Sequence, residues 1–169
     1  MLAARALQDE LMDAPDLDPA NYAALLADLA QVTTVTMGRR PTINFLNRVI
    51  GNATSIRVLD VGFGHGDMLR RIDGWAQKRG IDAELTGIDL NPKSADVARA
   101  ASVGHKITFL TGDYASLAGA GYDVILSSLV AHHMTRDQLS AFLQFMNREA
   151  QRGWLVNDLH RHSFAWMGF

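Results

Sequence analysis

From residue 55 onward, short and nearly continuous apolar runs alternate with amphipathic stretches, and this alternation restricts the fold more than any other feature. SIRVLDVG (55–62), AELTGIDL (83–90), KITFLTGD (106–113), YDVILSSLV (122–130) and GWLVND (153–158) read as strands. Between them, Met68, Leu69, Ile72, Trp75 and Ala76 share one helical face that closes at Gly80. Pro92 opens a short alanine-rich helix, and Leu139, Phe142, Leu143 and Met146 mark another. Apolar strands alternating with amphipathic helices require a parallel sheet covered on both faces, an α/β doubly wound architecture. The link at 114–121 is glycine-rich and has no helical period, so a turn or short helix is expected there.

Residues 1–51 differ from this pattern. Tyr22, Leu25, Leu26 and Leu29 fall on one helical stripe, and Phe45, Leu46, Val49 and Ile50 repeat it. Pro41 suits the first turn of the second helix, where its missing N–H costs nothing. QVTTVTMGRR between them reads as a hinge or lid. The expected organisation is therefore an N-terminal helical cap over 1–51 and a Rossmann-like ligand-binding core over 52–169.

A chain of 169 residues with 48% hydrophobic and 20% charged residues has the balance of a single globular domain. The absence of cysteine excludes disulfide frameworks, thiolate metal sites and cysteine nucleophiles. A net charge of -2 without a basic stripe argues against a nucleic-acid partner. No run approaches the ~18 apolar residues of a membrane span. The amino terminus turns acidic at Asp9 and Glu10, unlike a signal peptide or presequence, so a soluble cytoplasmic protein is expected. Oligomeric state leaves no trace in the sequence.

In a doubly wound sheet, ligands bind beyond the carboxyl ends of the strands. The first strand ends in Asp60-Val61-Gly62-Phe63-Gly64-His65-Gly66-Asp67. Its glycines permit a tight turn and close backbone approach to a ligand. A dinucleotide fingerprint would place glycine at 62, 64 and 67, whereas here the third falls at 66 and position 67 is Asp. Asp60 and Asp67 would repel a diphosphate and welcome an ammonium or sulfonium. Without Lys-Ser/Thr after the glycines, a phosphate-binding P-loop is excluded. Asp89 ends the second strand, where a carboxylate suits ribose hydroxyls. Asp113 ends the third and suits an adenine amino group, with Tyr114 beside it to cover the ring; a turn-capping role is its plainer alternative.

VLDVGFGHG followed by GIDLNP, TGDY and YDVILSSLVAHHM resembles the class I S-adenosylmethionine-dependent methyltransferases over about residues 55–160. The resemblance implies that Gly62, Phe63, Gly64 and Gly66 cradle the methionine end of the cofactor, with Asp60 near its amino group. It assigns Asp89 and Leu90 to the ribose side and Asp113 and Tyr114 to adenine. Ser127, Ser128 and Leu129 would pass the reactive methyl. The ELMD start, the N-terminal helices and the NDLHRH ending further resemble bacterial small-molecule methyltransferases of phenolic polyketide and quinone pathways. The family usually adds an antiparallel hairpin after the fifth strand. His162–Phe169 are too few for one, so a C-terminally incomplete core is expected.

The implied reaction is methyl transfer from S-adenosylmethionine, leaving S-adenosylhomocysteine, to a phenol or enol oxygen, with carbon methylation open. His132 and His133 directly follow the fourth strand, and either can serve as a base because imidazole titrates near neutral pH. His132 is slightly preferred. Asp158, His160 and His162 alternate, but strand-end polar residues explain them better than a metal site. Asp67 reads as a first-turn residue complementing the helix dipole. Arg39 and Arg40 read as a solvated helix entrance, His105 as a surface loop residue, and Trp75 and Trp154 as core packing. Two rivals are a non-catalytic module that binds the cofactor or its product, and an NAD-dependent oxidoreductase disfavoured by the glycine spacing. Methylation of nucleic acid or protein is a third.

Overall fold

The computed structural model describes Asp18, residues 21–28 and residues 40–158. Residues 21–28 are helical (α1), followed by α2 (Arg40–Ile50), β1 (Ser55–Val61), α3 (Asp67–Arg79) and β2 (Asp82–Asp89). Next come α4 (Pro92–Ala101), β3 (Ile107–Thr111), β4 (Val124–Ser128), α5 (Arg136–Glu149) and β5 (Gly153–Asn157). All strand pairings are parallel, in the order β3-β2-β1-β4-β5. All five expected strands form, with ends within two residues of the expected ones. Leu29, the 31–39 hinge including Arg39, and His160 and His162 lie outside the described residues.

Alternation along the strands divides the interior in two. Ile56 and Val58 of β1 and Val124 and Leu126 of β4 pack with α2, α3 and α4 through Leu46, Ile50, Leu69, Ile72 and Ala98. Leu59, Val61 and Ile125 face the other way, onto Phe142, Phe145 and Met146 of α5. Phe145 supplies a buried anchor that the sequence reading assigned to Leu143, which is only half-buried. Trp75 is likewise only half-buried, its indole N–H donating to Asn47 Oδ1 at 3.0 Å. His105 is not a bare loop residue, since its Nδ1 pairs with the mostly buried Asp73 carboxylate.

Local chemistry sets the helix ends. Gly80 closes α3 in the left-handed conformation, and its N–H returns to the carbonyls of Ala76 and Gln77. Asn91 caps α4 ahead of Pro92. Thr135 and Gln138 form a reciprocal capping box on α5. The 114–121 crossover contains a short 3-10 helix, Tyr114–Leu117. Arg57 ties that crossover down by donating to the carbonyls of Ala120 and Gly121. Its other nitrogens pair with Glu84 at 3.0 Å, which holds the Glu84 carboxyl below its ordinary range.

Candidate active site

In the order β3-β2-β1-β4-β5 the connections reverse direction between β1 and β4, which opens a crevice at their carboxyl ends. Gly62 follows β1 and Val130 lies just past β4. A Cβ on Gly62 would sit 2.3 Å from a Val130 methyl, and the backbone there has φ 75°. Glycine at 62 therefore lets the two loops close on each other. Gly66 has φ 73°, and its missing Cβ leaves room for the Phe109 ring, which would otherwise stand at 2.8 Å. That contact explains the third glycine at 66: α3 must start against β3.

The turn is cross-braced. Gly62 N–H donates to Ile88 O at 2.8 Å, and Gly66 N–H to Phe63 O at 2.8 Å. Asp89 spans two loops, accepting from Gly64 N–H at 3.0 Å on one oxygen and from Asn91 N–H at 2.8 Å on the other. Arg70 holds the outer edge by donating to the His65 carbonyl at 2.8 Å, and it also meets the His65 ring. The Phe63 side chain points into the core, tilted against Phe109 at 4.9 Å between ring centres.

Asp60 is the anomaly. It is 2% exposed at the end of the central strand, and its Oδ1 has no hydrogen-bond partner. Burial pushes its carboxyl well above the ordinary range, and the negative charges of Asp67 and Asp89 push it further. Ser127 on the neighbouring strand also buries an unpartnered hydroxyl. Leu129 adopts φ 58°, a left-handed conformation unusual for a branched residue, while its N–H donates to Asn157 O at 2.9 Å. Such strain concentrates at functional turns.

Other expected residues have varied settings. Leu90 is 75% exposed beside Asp89, a large apolar side chain in solvent at the crevice rim. Asp113 is exposed, and one oxygen caps the 3-10 turn from Ala115 N–H at 2.8 Å. Tyr114 packs its ring on Phe142 and Phe145, each at 4.9 Å, and burial raises its phenol. Ser128 is half-buried at the last position of β4.

His132 lies in a short turn (Ala131–His133), its ring 4.1 Å from that of His133. Asp158, just past β5, meets His132 twice. It accepts the His132 main-chain N–H at 2.9 Å, and its other oxygen lies 2.7 Å from Nδ1. The strand-end pattern gave Asp158 no partner, because the contact depends on β4 and β5 being neighbours. Over this crevice lies α1. Leu26 comes within 3.5 Å of the Gly64 Cβ position, and the Tyr22 hydroxyl meets Ser94 Oγ at 2.8 Å in a buried contact.

A doubly wound sheet with a glycine turn and carboxylates near three strand ends defines a Rossmann-like α/β protein, a fold that holds its ligands at that edge. A methyltransferase-domain family model matches residues 58–153, more than half of the chain, and the chain belongs to that family. Solved structures bear out the fold. The magnesium protoporphyrin IX methyltransferase of Synechocystis PCC 6803, with bound SAM, aligns at TM-score 0.60 and 21% identity over 86% of this chain and 66% of that one. The plantazolicin methyltransferase BpumL, with SAH, aligns at TM-score 0.62 and 20% identity over 80% and 50%. A class I S-adenosylmethionine-dependent methyltransferase, so described as putative, from Listeria monocytogenes aligns at 0.59 and 16% over 83% and 53%. The chain thus spans 50% to 66% of the length of these proteins. No curated protein sequence matches significantly. Among the described residues no helix is long and apolar enough to cross a membrane.

Proposed function

We propose that this chain binds S-adenosylmethionine at the β1–β4 crevice and transfers its methyl group to a small-molecule acceptor, leaving S-adenosylhomocysteine. The observation that carries the reading is Asp60: a buried carboxyl with an unpartnered oxygen, near Asp67 and Asp89, is a site for a cation. The amino group and sulfonium of the cofactor supply that charge, and a dinucleotide diphosphate would be repelled. In this reading Gly62, Gly64 and Gly66 cradle the methionine end through their backbone, as Phe63 does through its main chain. Asp89 takes the ribose hydroxyls, with Leu90 against the nucleoside. Asp113 and Tyr114 flank the adenine, and Ser127, Ser128 and Leu129 line the path of the methyl.

The acceptor we propose is a phenol or enol oxygen of a polyketide- or quinone-like compound, in the cytoplasm. His132 and His133 follow β4 next to Val130, which seats on Gly62, and so stand beside the crevice with proton-accepting groups. Of the two N-terminal helices, α1 covers the cofactor side, a role supported by Leu26 over the glycine turn, while α2 packs into the core through Leu46 and Ile50. Aligning acceptor oxygen, methyl carbon and sulfur accounts for much of the acceleration, and no covalent nucleophile is required.

Calorimetric titration with S-adenosylhomocysteine, with NADH as control, tests the reading. We expect micromolar binding of the first alone. Asp89→Ala, which removes the ribose acceptor and releases Gly64 and Asn91, should weaken it at least about ten-fold. Binding of NADH alone, or of neither ligand, would overturn the assignment.

A further inference from the structure

We propose that Asp158 is the positioning residue that fixes His132 as the proton acceptor in methyl transfer to a hydroxyl oxygen; this rests on the methyltransferase reading above. A carboxylate only accepts hydrogen bonds, so the 2.7 Å contact between Asp158 Oδ1 and His132 Nδ1 places the ring proton on Nδ1. Nε2 is then the basic nitrogen. The second Asp158 oxygen accepts the His132 main-chain N–H at 2.9 Å, so one carboxylate sets ring and backbone together. The carboxylate comes from the end of β5, where Asn157 pairs with Ser128 of β4. This pairing brings it to His132, 26 residues away in the chain and two residues past Val130, which packs on Gly62. Of the adjacent pair, it is His132 that Asp158 meets through both ring and backbone.

In the step this arrangement serves, the acceptor oxygen forms a bond to the methyl carbon of the sulfonium donor as the carbon–sulfur bond breaks. The electron pair passes to sulfur, which leaves as a neutral thioether. The hydroxyl proton passes to Nε2, and the imidazolium so formed is balanced by the Asp158 carboxylate before the proton leaves to water. The acceptor is therefore a neutral, weakly acidic hydroxyl such as a phenol, which must lose its proton as the bond forms. An amine, which attacks through its lone pair and need not lose a proton first, has no use for this base.

Heteronuclear NMR of the imidazole nitrogens in the full chain, with His132→Gln to assign the signal, reads the positioning directly. The expected result is the Nδ1–H tautomer in the wild type and its loss in Asp158→Ala. An Nε2–H tautomer in the wild type, or an unchanged one in Asp158→Ala, overturns the inference. The kinetic arm uses labelled S-adenosylmethionine with catechol, hydroquinone and resorcinol as acceptor probes. Asp158→Ala should lower kcat about 100-fold or more while the acceptor KM stays within about three-fold. Asp158→Asn keeps an oxygen for the main-chain N–H, so it preserves the turn if the alanine variant does not fold; its kcat should still fall about ten-fold or more. A loss confined to KM, an unchanged kcat in either variant, or no transfer to any of the three phenols overturns it. S-adenosylhomocysteine affinity, expected within about two-fold of wild type in both variants, separates this outcome from failure of the cofactor assignment. If the wild type does not bind that ligand, the cofactor reading falls and the catalytic role of His132 falls with it, whereas the tautomer reports separately on whether Asp158 orients the ring.

Discussion

At Asp60 a single side chain links stability to the ligand binding proposed for the crevice. Its carboxyl is held well above the ordinary range by burial, reinforced by Asp67 and Asp89. Between the ordinary carboxylate range and that raised value, the folded chain keeps a proton the unfolded chain has released. Stability of the ligand-free protein therefore falls as pH rises through that window. Asp60→Asn should remove the slope and raise stability near neutrality by about 1–3 kcal/mol, measured by urea unfolding across pH. The same change should weaken S-adenosylhomocysteine binding, because the ammonium loses its counter-charge. In the wild type, binding should release a proton and tighten as pH rises through the window, visible as a dependence of the calorimetric heat on buffer ionisation. A residue type and its strand-end position were readable in the sequence; the missing partner on Oδ1 was not, since it depends on what the elements packed around it leave unfilled.

Among the elements, those with strong local signals appear where periodicity and capping chemistry place them. Gly80 stops α3, and Asn91-Pro92 starts α4, because these residues satisfy or tolerate unpaired helix-end groups wherever the chain goes next. The 114–121 crossover was readable only as a turn or short helix, and its course was not, for the converse reason. Its shape is imposed from outside, by Arg57 on β1 and by Glu149 of α5, which accepts Gly119 N–H at 2.6 Å. The docking of α1 has the same character. Its apolar stripe is evident in Tyr22 and Leu26, but the Tyr22 contact with the fully buried Ser94 is 72 residues away in sequence. Tyr22→Phe should cost about 1–3 kcal/mol locally by stranding the Ser94 hydroxyl. Hydrogen exchange should quicken over 21–28 while β1 and β4 keep their protection; equal protection in both variants would count against this contact as the anchor.

For the molecule as a whole, the two interior layers share one sheet, with β1 and β4 contributing side chains to both. Loss on either face should be felt through the sheet as one cooperative transition. Phe142→Ala, at a fully buried position on the α5 side, should cost about 3–5 kcal/mol, with circular dichroism and tryptophan fluorescence reporting coincident urea midpoints. Separate midpoints would mean the two layers unfold independently. Order of elements, parallel sheet, glycine turn and carboxylates at strand ends were determined by the sequence itself, because hydrophobic period and turn chemistry act within a few residues of where they are written. Only the tertiary structure decided that Asp158 grips His132, that Asp73 pairs with His105, that Gly62 seats Val130 and that Tyr22 meets Ser94. Those partners are far apart in the chain, and strand order, register and helix docking bring them together. No local pattern encodes the meeting.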